Sequence, residues 1–218
     1  MPRAVRSAAA VLLLTAAAAC SSSTTASPAS PASPASPASP GSPASPGSAG
    51  SAGSAAAPTL VRLLALEEAV TTWEDAPTLA AAKAAAERTV NLITGPHVTG
   101  YGDLDGNGTI TGPNEVGLLP GEHGEAGLVS PPGSSCVQRD VLGGSWADPG
   151  ARWADLRDRI ARWTPTNNTF PALKSHPQQV IGWASLTLRT KDLVSAREYA
   201  GQAQQHLDVT RTALTNCH

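Results

Sequence analysis

The sequence predicts an all-α domain, a bundle of four or five helices with a long irregular, Gly/Pro-rich central insertion. Apolar residues recur at spacings of three and four in several separate segments, which is the period of a helix with one buried face. No segment of useful length alternates apolar and polar residues as a half-buried strand does. Between Gly95 and Gly150 the helical period is lost, and Gly and Pro punctuate the chain. So long a connection is uncommon inside a compact domain and suggests ligand binding or another function.

Two helices are predicted before this insertion, one on each side of Asp75-Ala-Pro77. The apolar stripe of the first contains Leu60, Leu63, Leu66, Val70 and Trp73. The second is expected to begin near Pro77 with Asp75 as its cap, and to end at Gly95-Pro96. Its stripe contains Leu79, Ala82, Ala86, Val90 and Ile93.

Three more helices are predicted after the insertion. Asp148-Pro-Gly begins the third, Pro177 to Thr190 marks the fourth, and the fifth runs from Leu193 to Leu214. The fifth has a heptad-like seam typical of close antiparallel packing. Four of the five tryptophans fall on or beside these apolar faces, and Trp146, in the insertion, is the one expected to be exposed.

The most specific motif of the insertion is Asp103-Leu-Asp105-Gly-Asn107-Gly108-Thr109-Ile110. Oxygen atoms at alternate positions can converge on one ion if the chain curls, and Ca²⁺ takes six to eight such hard oxygen ligands. Gly108 permits the sharp turn, the carbonyl of Thr109 adds a ligand, and Ile110 is expected to fix the loop to the core. The alternative is a turn rich in Gly and Asp that binds no ion.

This motif resembles the calcium loop of EF-hand and dockerin proteins. The resemblance implies Ca²⁺ ligands at Asp103, Asp105, Asn107 and Thr109. The position where an EF-hand has a bidentate Glu is Asn114 here, so Glu115, one residue later, is the candidate closing ligand. Gly112-Pro113 prevents a helix from starting at the loop exit, so a solitary loop with a structural ion is expected rather than a helix-loop-helix.

The start of the chain has the order of a secretory signal. Arg3 and Arg6 precede an apolar run that is too short to span a bilayer and ends at Cys20. The segment Ala17-Ala18-Ala19-Cys20 resembles the lipobox of a bacterial lipoprotein signal, in which the cysteine thiol is acylated; ordinary cleavage and secretion is the alternative. The predicted division is a signal peptide at 1–19, the lipidated Cys and a disordered Ser/Pro/Ala/Gly linker at 20–58, and a helical domain at 59–218.

The other two cysteines, Cys136 and Cys217, are left as a pair outside the cytoplasm, where disulfides persist. A disulfide between them is therefore predicted, with two buried free thiols as the alternative. The bond would tie the end of the last helix to the insertion.

Charge and motif content limit the function classes. The domain carries all 17 acidic residues and, since Arg3 and Arg6 precede it, 13 of the 15 Lys and Arg, a formal charge of −4 without a basic cluster, which argues against nucleic acid. The leading hypothesis is a non-enzymatic, surface-tethered lipoprotein module stabilised by Ca²⁺ and a disulfide, with the membrane and a cell-wall or extracellular protein as partners. Two alternatives remain open: a metal- or cofactor-carrying bundle, and an extracellular enzyme or metal-dependent hydrolase. The enzyme would use His97, Glu122, His123 and Glu125.

Overall fold

The computed structural model describes residues 56–167 and 173–217, so the predicted signal, Cys20 and most of the linker lie outside the described residues. The regular elements of the described part are helices, with no β-strand, which confirms the all-α prediction. The five α-helices are α1 (Ala56–Glu74), α2 (Leu79–Thr94), α3 (Pro149–Ala161), α4 (His176–Arg189) and α5 (Leu193–Asn216). Among the described helices, none combines the length and apolarity that a membrane crossing requires.

Four of these helices form the bundle. α1 packs on α2, α2 on α4, α4 on α5, and α5 on α1, so the apolar faces meet in one core. α3 packs on α4 at the outside of this ring. The largest wholly buried side chains include Trp73, Leu66, Ile93 and Leu207, which lie on the predicted stripes. Leu60 departs from the prediction, because it is 44 % exposed.

Side-chain caps mark the starts of α2 and α3, and the cap of α2 is not the predicted residue. Asp148 accepts the N–H of Ala151 at 2.9 Å and caps α3, as the sequence predicts. The predicted Asp75 cap of α2 is wrong: Thr78 is the N-cap, and its Oγ1 accepts the N–H of Ala81 at 3.2 Å. Pro77 therefore precedes the helix instead of lying in its first turn.

The connection between α2 and α3 consists of turns and bends, with a short π-helix at Val137–Leu142. It folds back over the end of α2, where the N–H groups of Leu118 and Leu119 donate to the carbonyls of Leu92 and Ile93 at 3.2 and 3.1 Å. These donors satisfy carbonyls that a helix end leaves without partners. Gly117 permits the approach, since a Cβ there would lie 2.3 Å from the carbonyl oxygen of Thr94.

The prediction that Trp146 is exposed is wrong. Only 7 % of its surface is accessible to solvent. Its ring packs edge-on against Trp153 at 5.6 Å between centroids, and its Nε1–H donates to the carbonyl of Leu142 at 2.9 Å. Because the indole N–H has a partner, the whole ring can be buried.

Cys136 and Cys217 are paired as a disulfide, with Cα atoms 6.3 Å apart. That separation lies within the usual range for disulfides. Cys136 directly precedes the π-helix, which packs on α4 and α5, and Cys217 caps the end of α5. The bond joins the connection to the last helix.

Candidate metal centre

Glu87 organises the predicted calcium loop from the opposite side, on α2. Its side chain is wholly buried. Oε2 accepts the N–H groups of Leu104 and Asp105 at 2.8 and 3.1 Å. Oε1 accepts the N–H and the hydroxyl of Thr111 at 3.1 and 3.3 Å. Burying a carboxylate is costly unless hydrogen bonds replace its water, and these donors do so. The loop is therefore wrapped around a buried negative charge.

Asn91, one helical turn after Glu87, fixes both ends of the loop. Its Nδ2 donates to the carbonyls of Gly102 and Thr111 at 2.9 and 2.8 Å. Its Oδ1 accepts the N–H of Gly102 at 3.1 Å. Glu87 and Asn91 lie on the same face of α2 because residues four apart are neighbours on a helix.

Within the loop, the predicted ligand side chains bond to the loop's own backbone. Asp103 accepts the N–H groups of Asn107 and Gly108 at 3.0 and 2.8 Å. Asp105 accepts the N–H of Asn107 at 2.9 Å, and Asn107 Oδ1 accepts the N–H of Thr109 at 2.7 Å. Gly108 has φ 83°, a conformation that glycine adopts without steric cost. The chain thus curls in the way that the spacing predicts.

The curl brings three carboxylates together. One oxygen each from Glu87, Asp103 and Asp105 lies within 4.8 Å of the other two. Two ligands on opposite sides of a Ca²⁺ ion, each about 2.4 Å from it, would be about 4.8 Å apart. None of the ion pairs among the described residues involves these three acids. At about 5 Å and an effective dielectric of about 20, two unit charges repel by roughly 3 kcal/mol, so a cation would relieve the cluster.

Glu115 and Ile110 do not take their expected places. Glu115 is exposed and lies beside Arg62 of α1, and the third carboxylate of the cluster is that of Glu87. Ile110 is 56 % exposed and does not fix the loop to the core; Leu104 packs against the core instead. Thr109 donates its N–H to Asn107, and ligation by its carbonyl stays a prediction.

Glu87 was not among the predicted site residues, because the prediction for α2 used only its apolar residues. A signal was present: Glu87, Asn91 and Thr94 recur at spacings of four and three, a polar row on a helix otherwise made largely of Ala and branched apolar residues. All three are buried in the structure. A polar row of this kind on a helix face without solvent predicts a polar partner elsewhere in the fold.

The candidate enzyme residues lie near one another, and the carboxylates of Glu122 and Glu125 already accept hydrogen bonds. Glu122 binds Arg157 at 2.8 Å and accepts the N–H of Thr99 at 2.8 Å, which lowers the pKa of Glu122 to about 2. His97 Nδ1 lies 3.9 Å from Glu125 Oε1. The pKa of Glu125 is lowered because its carboxylate accepts hydrogen bonds from the backbone N–H groups of Glu125 itself and of His123. A carboxylate with so low a pKa as that of Glu122 is a weak general base and is not protonated near neutral pH.

A second polar contact lies between α4 and α5. The Nδ1 atoms of His176 and His206 are 3.0 Å apart, and His176 is buried. One ring must donate and the other accept, so two imidazolium ions are incompatible with this contact. Burial lowers the pKa of His206 to about 4, assisted by His176, and burial also lowers the pKa of His176. Asp140 and Arg139 of the π-helix act on His176 with opposite signs.

This contact predicts a loss of stability in mild acid. The unfolded pKa of His is about 6.5, so between about pH 6.5 and pH 5 the unfolded chain binds more protons than the folded one. The free energy of unfolding should fall by about 1–2 kcal/mol over that window, after allowance for solvent around His206. Urea titrations at about pH 7, 6 and 5 measure the fall, and His206→Asn should flatten it. A flat wild-type profile would contradict the contact.

No protein-family model, curated protein or solved structure matches this chain.

Proposed function

We propose that this chain is a surface-tethered extracytoplasmic lipoprotein whose helical domain is a non-enzymatic binding or structural module held together by Ca²⁺ and a disulfide. One observation carries the metal part of the proposal: a loop of carboxylate and amide side chains is closed over the buried Glu87. The candidate ligand atoms that converge there are oxygens, which Ca²⁺ prefers. The ion would be structural, because it would neutralise a cluster that the folded chain itself assembles.

Calcium dependence of the melting temperature tests this site. At about 100 times its dissociation constant, Ca²⁺ should raise the free energy of unfolding by about 2.7 kcal/mol over that in chelator. For a domain of this size that corresponds to a rise in melting temperature of roughly 5–10 °C. Melts of the full chain in Ca²⁺, in Mg²⁺ and in chelator measure the effect and its selectivity.

The matched variants keep the shapes of the side chains. Asp103→Asn with Asp105→Asn keeps one acceptor oxygen at each position and removes two charges. Its stability in chelator is its own reference, and it should lose the gain in Ca²⁺. Asp158→Asn removes an exposed charge on α3 that pairs with Arg162, and it should leave the gain unchanged. Identical wild-type melts in Ca²⁺ and in chelator would reduce the loop to an ordinary turn.

Neither alternative function gains support from the geometry. Glu122 and Glu125 have lowered pKa values, so they are poorly suited to donate or accept a proton near neutral pH. The carboxylate cluster contains no histidine or cysteine, the ligands that a transition-metal site would favour.

The tether is proposed from the sequence, since Cys20 lies outside the described residues. A cysteine with two acyl chains anchors a protein stably, whereas one chain binds membranes only marginally. Cys20→Ala should therefore move the protein from the membrane fraction to the medium, while the neighbouring Ser21→Ala should not. Immunoblots of the two fractions and mass spectrometry of the wild-type N-terminus check the result. If wild type and Cys20→Ala fractionate alike, the chain is not anchored through this residue.

A further inference from the structure

A cleft of about 280 Å³ separates α3 from α2 and α4. Buried apolar side chains line its interior, among them Val90, Trp153, Leu156 and Ile181. An engineered apolar cavity of about 150 Å³ binds benzene, so this volume suits a ligand of roughly a dozen non-hydrogen atoms. Apolar clefts between the helices of a bundle, with a few polar groups, are typical ligand sites.

The polar side of the cleft is cationic. Arg157 of α3 is the one charged residue among the described residues that line it. Its Nη2 donates to Glu122 at 2.8 Å, while its Nη1 has no hydrogen-bond partner and almost no accessible surface, so a ligand in the cleft reaches Nη1 only when the side chain turns toward it. A buried donor without an acceptor is unfavourable. A ligand that supplies an acceptor to Nη1 would therefore gain more binding free energy from that hydrogen bond than from one to a solvated donor. No acidic residue is among the described residues that line the cleft, and the nearest carboxylate to Arg157 is that of Glu122, which occupies Nη2 and leaves Nη1 for a second acceptor.

We propose that this cleft binds a small amphipathic carboxylate, an apolar chain or ring of roughly ten carbons whose carboxylate hydrogen-bonds to Arg157. The chain would lie against Trp153 and Leu156, and the carboxylate would take the donor that Glu122 leaves free. This ligand is independent of the metal loop, although Leu104 of that loop also lines the cleft.

Decanoate is the probe, because it combines a chain of the right length with one carboxylate. Isothermal titration of the purified full chain, below the concentration at which decanoate forms micelles, should give one site. Decanol, with the same chain and no carboxylate, should bind at least roughly tenfold more weakly, and acetate should not bind measurably. Equal affinity for decanol would overturn the assignment of the carboxylate to Arg157.

Variants separate the two halves of the site. Arg157→Met should weaken decanoate binding at least roughly tenfold and leave decanol binding unchanged, which also shows that the cleft is still folded. Arg159→Met is the matched control, since Arg159 lies two residues away in an exposed pair with Asp155, and it should bind decanoate like wild type. Ser185→Phe, which places a ring in the cleft from α4, should abolish binding of both ligands.

Three further results would overturn the proposal: no binding of decanoate to the wild type, undiminished binding to Ser185→Phe, or equal losses in Arg157→Met and Arg159→Met. Melting of Ser185→Phe at the wild-type temperature excludes unfolding as the reason for its loss of binding. The titration is done at constant Ca²⁺ concentration. A failure to bind decanoate is therefore distinguishable from a failure of Ca²⁺ to raise the melting temperature.

Discussion

Reduction of the Cys136–Cys217 disulfide should lower the free energy of unfolding by about 3 kcal/mol. The two residues are 81 positions apart, and a cross-link closing so long a loop removes much of the conformational freedom of the unfolded chain. The chain-entropy model gives roughly 4.5 kcal/mol as an upper guide, and native disulfides typically contribute about 2–4 kcal/mol. For a domain of this size the expected fall in melting temperature is roughly 6–12 °C.

The measurement is a thermal melt with and without reductant, on a Cys20→Ala background so that only this pair titrates. Cys136→Ser with Cys217→Ser should melt like the reduced wild type and should no longer respond to reductant. Thiol alkylation in the native, oxidised protein should label neither residue. Two thiols reacting under those conditions would show that the pair is not bonded.

Much of the fold could be predicted from periodicity. The stripes of α2 and α5 are buried largely as expected, because a helix with one apolar row has only one way to hide it. The expectations for Leu60 and Trp146 were wrong for a different reason. The exposure of a single apolar residue depends on which other segment covers it, and in an irregular connection the sequence has no period from which to infer the cover.

In the candidate site, too, contacts between residues close in sequence could be predicted and contacts between distant residues could not. The curl of the loop could be predicted, because the turn of Gly108 and the acceptors of Asp103 and Asp105 are local. Glu87 could not be found from that motif, since its contact with the loop spans 17 residues or more and depends on how the connection folds over α2. Glu115 follows the loop closely in sequence but is not part of the carboxylate cluster, because spatial position and not spacing along the chain decides which carboxylates meet.

Glu87→Gln should be among the most destabilising single changes in the domain, and its cost should depend on Ca²⁺. The carboxylate accepts hydrogen bonds on both oxygens, and an amide of the same size must turn its NH₂ toward one set of these donors. A buried donor left without its acceptor typically costs about 1–3 kcal/mol, and two donors lose theirs in this variant. The same change removes one of three clustered negative charges, so in chelator the relief of repulsion should offset part of the cost.

The free energy of unfolding of Glu87→Gln should therefore fall by about 3 kcal/mol relative to wild type in Ca²⁺, and by clearly less in chelator. Glu68→Gln is the control, because Glu68 pairs with Arg88 on the surface of α1 and α2, and its cost should stay below about 1 kcal/mol in both conditions. Denaturant titrations of wild type and both variants, with Ca²⁺ and with chelator, measure these differences. A loss of the same size in both conditions would leave Glu87 as a structural anchor of the loop without a cation. A loss in Ca²⁺ as small as that of Glu68→Gln would contradict the buried network itself, because it would mean that the donors of Leu104, Asp105 and Thr111 find other partners at no cost.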